Sequence, residues 1–173
     1  MKSIMNYFII YEDCCFYEIV ILSYFMKFTN QKMRFCTLDG KGITCMEGFR
    51  VDADQTVDAV DLSEAKSIIL TGGNIDHIRS DIVTKLLQEA KEKNILIGAI
   101  CAGVDILEEA GILDGLASTH STDLDAVTDH NVITARANAY VDFAIEVAKK
   151  QELFEDEADL QETINFWKYH KRM

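Results

Sequence analysis

A chain of 173 residues suits one domain with a substantial core, and 49% hydrophobic against 27% charged residues is ordinary globular composition that argues against disorder. A net charge of −12 argues against a nucleic-acid partner, and the one basic cluster, Lys168-Tyr169-His170-Lys171-Arg172, is too short to reverse that. No apolar run reaches the ~18–20 residues of a membrane span, and five cysteines without disulfide-framework spacing fit a reducing, cytoplasmic setting.

The opening MKSIMNYFIIY has the lysine and short apolar run of a weak signal peptide, but Glu12 and Asp13 follow it without a small-residue cleavage site. Residues 4–11, rich in Ile, Phe and Tyr, instead read as a first buried strand. A polar loop over 12–15 leads to a helix over 16–29, with Ile19, Val20, Leu22, Phe25 and Met26 at near-helical spacing. A second strand is expected over 33–38, closed by the turn signal Asp39-Gly40-Lys41-Gly42. Residues 43–50 read as a strand or a hairpin arm around Gly48, and the acidic stretch 52–65 as irregular with a short helical piece.

Residues 67–70 form a compact apolar strand running into Thr71-Gly72-Gly73-Asn74. A helix is expected over 78–93, with Ile82, Val83, Leu86, Leu87 and Ala90 on one face. A short strand over 95–97 runs into Gly98-Ala99-Ile100-Cys101-Ala102-Gly103, after which Val104, Ile106, Leu107 and Ala110 carry a helical spacing to Gly111. Residues 116–119 and 131–134 are short strand candidates, and Tyr140–Lys150 reads as a helix. The last helix, over 156–170, sets Leu160, Ile164 and Trp167 against an acidic face. Strands alternating with helices imply βαβ units and a mainly parallel sheet in one three-layer α/β domain. Residues 1–150 make that domain; 151–173 form a C-terminal helical extension packed on it, with a dimer contact as the competing reading.

In an open parallel sheet, ligands bind outside the carboxyl ends of the strands. That rule gathers Cys14, Cys15 and Glu18 after the first strand, Gly72 and Gly73 after Leu70, and Cys101 after the strand that precedes it. A strand turning sharply into a helix with a cysteine on the turn is a nucleophile elbow, and the helix N-terminus behind the sulfur favours thiolate over thiol. The alternative is a cysteine acting as a small buried hydrophobe. Gly72-Gly73 is an ordinary turn or a source of oxyanion donors, Glu18 a solvated first-turn acid or a site carboxyl, and His120 a hydrogen-bonded histidine or a base.

Taken together, Leu70-Thr71-Gly72-Gly73-Asn74, Gly98-Ala99-Ile100-Cys101-Ala102-Gly103, Ala110-Gly111-Ile112-Leu113-Asp114-Gly115 and Thr119-His120 resemble the DJ-1/PfpI (ThiJ) superfamily. Residues 131–136 and the helix over 143–150 resemble its closing strand and helix, so the similarity runs in order from about Ile4 to Lys150. The resemblance implies a flavodoxin-like fold related to class I glutamine amidotransferases, assembled as a homodimer. It casts Cys101 as the nucleophile or oxidisable thiol and Glu18 as the carboxyl that tunes it. Gly73 and Ala102 would be the backbone donors and His120 the nearby histidine. Where protease-like and glyoxalase-like branches place a histidine after the cysteine this chain has Ala102, which brings it closer to the DJ-1-like Cys-Ala-Gly branch. Thr71 and Ser121 stand where the family often has proline.

The implied chemistry is addition of the Cys101 thiolate to a small 2-oxoaldehyde in a glyoxalase- or deglycase-type reaction, needing neither metal nor organic cofactor. A second reading is a non-enzymatic redox-responsive protein that oxidises at Cys101, with Cys14 or Cys15 as redox partners. An amidase or peptidase would need His120 as base, because His77 and His130 read as loop residues and His170 lies in the tail.

Overall fold

The computed structural model describes residues 4–173. Its core is a seven-stranded sheet. The first strand, β1 (Met5–Ile9), is buried on both faces along its whole length, as an inner strand of a parallel sheet is, and it carries one buried polar residue, Asn6. The chain continues through α1 (Tyr17–Phe28), β2 (Lys32–Thr37), a two-stranded hairpin of β3 (Ile43–Thr44) and β4 (Arg50–Val51), and the short β5 (Gln55–Thr56). Then come β6 (Ala65–Leu70), α2 (Asp81–Glu92), β7 (Leu96–Ile100), α3 (Gly103–Glu109), β8 (Ala126–Asp129), β9 (Val132–Ala135), α4 (Tyr140–Lys150) and α5 (Glu157–Trp167).

Strand order is β5-β2-β1-β6-β7-β9-β8, parallel throughout except for the antiparallel edge strand β8. This is the three-layer, flavodoxin-like α/β arrangement. From β1 the chain moves outward to β2 and later returns to the other side of β1 as β6. Right-handed crossovers therefore place α1 on one face and α2 and α3 on the other. Between β1 and β6 the strand order reverses, opening a crevice at their carboxyl ends. Register lines up Ile9, Leu70 and Ala99 across β1, β6 and β7, so the loops that follow all reach one edge.

Several expectations shift. Strand β7 runs on through Gly98 and Ala99 to Ile100 instead of stopping at Ile97. A Cβ on Gly98 would sit 3.0 Å from Ile69 Cδ1 and 3.0 Å from Phe143 Cζ, so the glycine lets α4 lie close on the sheet. Residues 116–119 are not a strand. There the Ser118 carbonyl accepts from the Ser121 and Thr122 amides, and Ser118 N donates to Ser121 Oγ, a local network that competes with sheet pairing. Helix α2 begins at Asp81 because Ser80 Oγ caps it, accepting from Val83 N at 3.3 Å.

The tail folds over α1. Trp167 sets its ring 5.5 Å from Tyr24 and 5.9 Å from Phe25, and Lys168 pairs with Asp142 of α4 at 2.6 Å. Between α1 and α5 lies a groove of about 710 Å³, at the end of α1 away from Cys101. Among the described residues, no helix is long and apolar enough to cross a membrane.

Candidate functional site

Cys101 follows β7 directly and has φ of +57°, the left-handed region that costs a non-glycine residue about 1–2 kcal/mol. Its amide donates to the Ala135 carbonyl at 2.9 Å, and its carbonyl accepts from Val104 N at 3.1 Å, so the turn is fixed on both sides. Small residues make the turn possible. A Cβ on Gly103 would lie 2.8 Å from Leu70 O, and one on Gly72 would lie 2.7 Å from Cys101 Cβ, 2.9 Å from Ala102 N and 2.9 Å from Glu18 Oε1. Cysteine, its following amide and the glutamate thus converge on the face that Gly72 leaves bare.

Glu18, in the first turn of α1, points inward and is 1% exposed. Its Oε1 accepts from the Gly72 amide at 3.1 Å and lies 3.4 Å from Thr71 Oγ1. The other oxygen, Oε2, is buried with no hydrogen-bond partner among the described residues. Burial raises the Glu18 pKa from 4.5 to about 7, against the lowering influence of Cys101, Gly72 and Thr71. With Oε1 engaged by an amide, the proton of the neutral acid belongs on Oε2. The carboxyl and the thiol act on each other: Cys101 lowers the pKa of Glu18, and Glu18 raises that of Cys101.

The thiol does not follow the helix-dipole expectation. Burial and then the Glu18 charge push the Cys101 pKa up, outweighing the Ala102 amide, which lowers it. Helix α3 has only seven residues and carries Asp105 in its first turn, another anion that opposes ionisation. At neutral pH the thiol therefore keeps its proton beside a glutamate that titrates near 7, and no preformed thiolate is held there.

The loop after β1 is clamped to the loop after β6. Cys14 and Gly73 form a β-bridge, with Cys15 N donating to Gly72 O at 2.8 Å and Asn74 N to Asp13 O at 3.1 Å. Thr71, fully buried, donates from Oγ1 to the Cys15 carbonyl at 2.7 Å. The Tyr11 hydroxyl donates to the Thr71 carbonyl at 2.7 Å.

A DJ-1/PfpI family model matches residues 6–150. The chain belongs to the DJ-1/PfpI family. Its fold matches the DJ-1 superfamily protein Atu0886 of Agrobacterium tumefaciens over 96% of this chain and 99% of that one, at 25% identity and a TM-score of 0.86. A thiJ/pfpI family protein of Bacillus anthracis matches 99% of this chain and 92% of its own, at 23% identity and a TM-score of 0.88. Both matches extend past residue 150, so the likeness of fold takes in much of the tail that the family model leaves out. At the sequence level, the chain is 32% identical over 133 residues to a Bacillus subtilis protein named "Uncharacterized protease YoaZ". That match covers 65% of this chain and 62% of the relative's length.

Against the DJ-1/PfpI pattern, the structure brings together Cys101, Glu18, Gly72 and Ala102, and packs Gly73 against the Asp13–Cys15 backbone. It does not bring His120 to the sulfur. His120 Nε2 pairs with Asp105 at 3.1 Å and Nδ1 with Glu108 at 3.2 Å, so both ring nitrogens face acids of α3. Cys15 is partly buried near the Cys101 and Glu18 charges, and burial pushes its thiol up to about 11. Cys14 is fully buried, its thiol pushed up to about 12. Two participants escaped the sequence reading. Thr71, at the position where the family often has proline, ties Glu18's loop to β6, and Glu47 reaches α1 from the β3–β4 hairpin. Among the described residues, no three His, Cys, Asp or Glu side chains are grouped as metal ligands would be.

Proposed function

We propose that the protein uses Cys101 and Glu18 on small reactive carbonyls, in cofactor-independent glyoxalase- or deglycase-type chemistry. The observation that carries this reading is a buried glutamate with a pKa near 7 beside a thiol on a strained turn, since a general base works best with its pKa near the working pH. Glu18 takes the Cys101 proton as sulfur adds to the aldehyde of a 2-oxoaldehyde, and the resulting alkoxide is protonated to the hemithioacetal. Glu18 then moves a proton from the aldehyde carbon to the neighbouring carbonyl carbon by way of an enediol, leaving a thioester on Cys101. Water releases the 2-hydroxy acid and restores the thiol, so the net change is addition of one water. The amides of Ala102 and Gly73 are the candidate donors to the oxyanion.

Cys101→Ser should reduce methylglyoxal consumption, followed as D- or L-lactate release, to the buffer rate. Equal rates for both proteins would reject the proposal. The protease name of the Bacillus subtilis relative offers a hydrolase as an alternative, but both nitrogens of His120 are occupied by acids and Ala102 follows the cysteine.

A second reading is oxidation at Cys101, favoured by the placement of Cys15, which shares the Gly72 wall with it. A hydroperoxide would oxidise Cys101 to the sulfenic acid and leave as the alcohol or water. Attack by the Cys15 thiol on the sulfenic sulfur would then give a Cys15–Cys101 disulfide and release its oxygen as one water. After mild peroxide, non-reducing peptide mass spectrometry should find the Cys15–Cys101 cross-link. Sulfinate on Cys101 with no linked peptide would rule out Cys15 as the resolving thiol.

A further inference from the structure

Helix α1 lacks a cap of its own. Its N-cap residue Phe16 has helical backbone angles and offers no side-chain hydrogen bond. While Glu18 N and Ile19 N reach the Cys15 and Phe16 carbonyls, the Phe16 and Tyr17 amides find no backbone partner among the described residues. They are answered from thirty residues away. Glu47, at the turn between β3 and β4, accepts from Phe16 N through Oε1 at 3.1 Å and from Tyr17 N through Oε2 at 2.5 Å. A carboxylate with both oxygens on helix N-terminal amides does the work of an N-cap and meets the positive end of the helix dipole.

The hairpin that carries Glu47 is itself tied to the same loop. Asp13 N donates to Thr44 O at 2.9 Å, Met46 N to Cys14 O at 2.8 Å, and Thr44 N to Glu12 Oε2 at 3.0 Å. The next residue of α1 after the two bonded amides is Glu18. We propose that Glu47 is a positioning residue for the Cys101–Glu18 site: it fixes the first turn of α1, so that the Glu18 carboxyl stays on the Gly72 amide, and sets a negative charge beside that acid. This rests on the reading of Glu18 and Cys101 as the working pair. The charge is a separate influence from the geometry: Glu47 raises the pKa of Glu18 and of Cys15, while the Gly72 amide lowers that of Glu18.

The test reads Cys101 without any carbonyl substrate. Iodoacetamide alkylation, followed by mass spectrometry of the Cys101 peptide across pH, is compared in the wild type, Glu47→Gln and Glu47→Ala. Removing an anion favours ionisation, so the alkylation profile of Glu47→Gln should move to lower pH by a few tenths of a unit, with a melting temperature between those of the wild type and Glu47→Ala, because Gln keeps one of the two cap acceptors. Glu47→Ala should shift the profile likewise, alter the alkylation rate at matched thiolate fraction several-fold, and melt several degrees earlier. Should Glu47→Ala fail to fold, Glu47→Gln and Glu47→Asp still decide, with Asp expected to keep the wild-type profile. Profiles that coincide in the wild type and Glu47→Gln, or a Glu47→Ala variant that only melts earlier, would overturn the proposal. A shifted profile in a protein without carbonyl turnover would leave Glu47's role standing and remove only the proposed reaction.

Discussion

Glu18→Gln should make Cys101 easier to alkylate and far poorer at turnover. The Glu18 charge is one of the influences that push the Cys101 thiol up, so an uncharged amide should move the iodoacetamide profile to lower pH. Carbonyl consumption should fall by ~10²-fold or more, the usual contribution of a positioned general base. A glutamate with a purely structural part would give neither change, and one that merely activates the thiol would give both in the same direction.

The same substitution should appear in stability. Glu18 titrates near 7 in the folded chain against an ordinary 4.5. Its folded-state pKa is raised, so its contribution to stability is full below 4.5 and is lost as pH climbs through about 7. Keeping the ionised carboxylate buried then costs on the order of 3 kcal/mol. The wild-type urea midpoint should fall between about pH 5 and pH 8, and much of that fall should be missing in Glu18→Gln. A variant whose midpoint declines as steeply as the wild type's would contradict the assignment.

The largest loss of stability is expected from Gly73→Ala. Gly73 has φ of +122°, and a Cβ there would lie 2.4 Å from Asp13 O, 2.7 Å from Cys14 Cα and 2.9 Å from Cys15 N. All three atoms are backbone, so no rotamer change can relieve the clash. Forced separation of the two loops plus a strained φ should cost on the order of 3 kcal/mol or more by urea unfolding. Gly48→Ala is the control: φ is +93°, but nothing lies within 4 Å of the added carbon. It should lose only about 1 kcal/mol. Equal losses at the two glycines would mean that backbone strain, and not the packing of the Cys14 loop on Gly73, sets the penalty.

Much of the fold could be read from residues alone where burial was continuous. Strands β1, β6 and β7 are buried along nearly their whole length and mostly apolar, and α4 carries a helical period, so their positions followed from pattern. Strand β5 is two residues long and β8 alternates buried and exposed positions, too short a signal to separate from loop. At 116–119, apolar content suggested a strand, but the hydroxyls around Ser118 close a turn first. The site was readable to the extent that the sheet's switch point gathers Glu18, Gly72, Gly73 and Cys101. Sequence distance hid Glu47, because no periodicity links a hairpin tip to a helix start thirty residues earlier. The thiolate expectation missed because desolvation and Glu18 act at contact range, whereas the pull of a seven-residue helix is weaker.

The margins of the sheet have a consequence for how the molecule behaves in company. On one side it ends in β5, with two residues of ladder, and on the other in β8, four residues long with Asp129 at its end. Edges this short offer a neighbouring chain few free main-chain groups to extend, which is how natural sheets avoid templating fibrils. Strand addition at either margin is thereby disfavoured, and an edge that does not template also does not recruit.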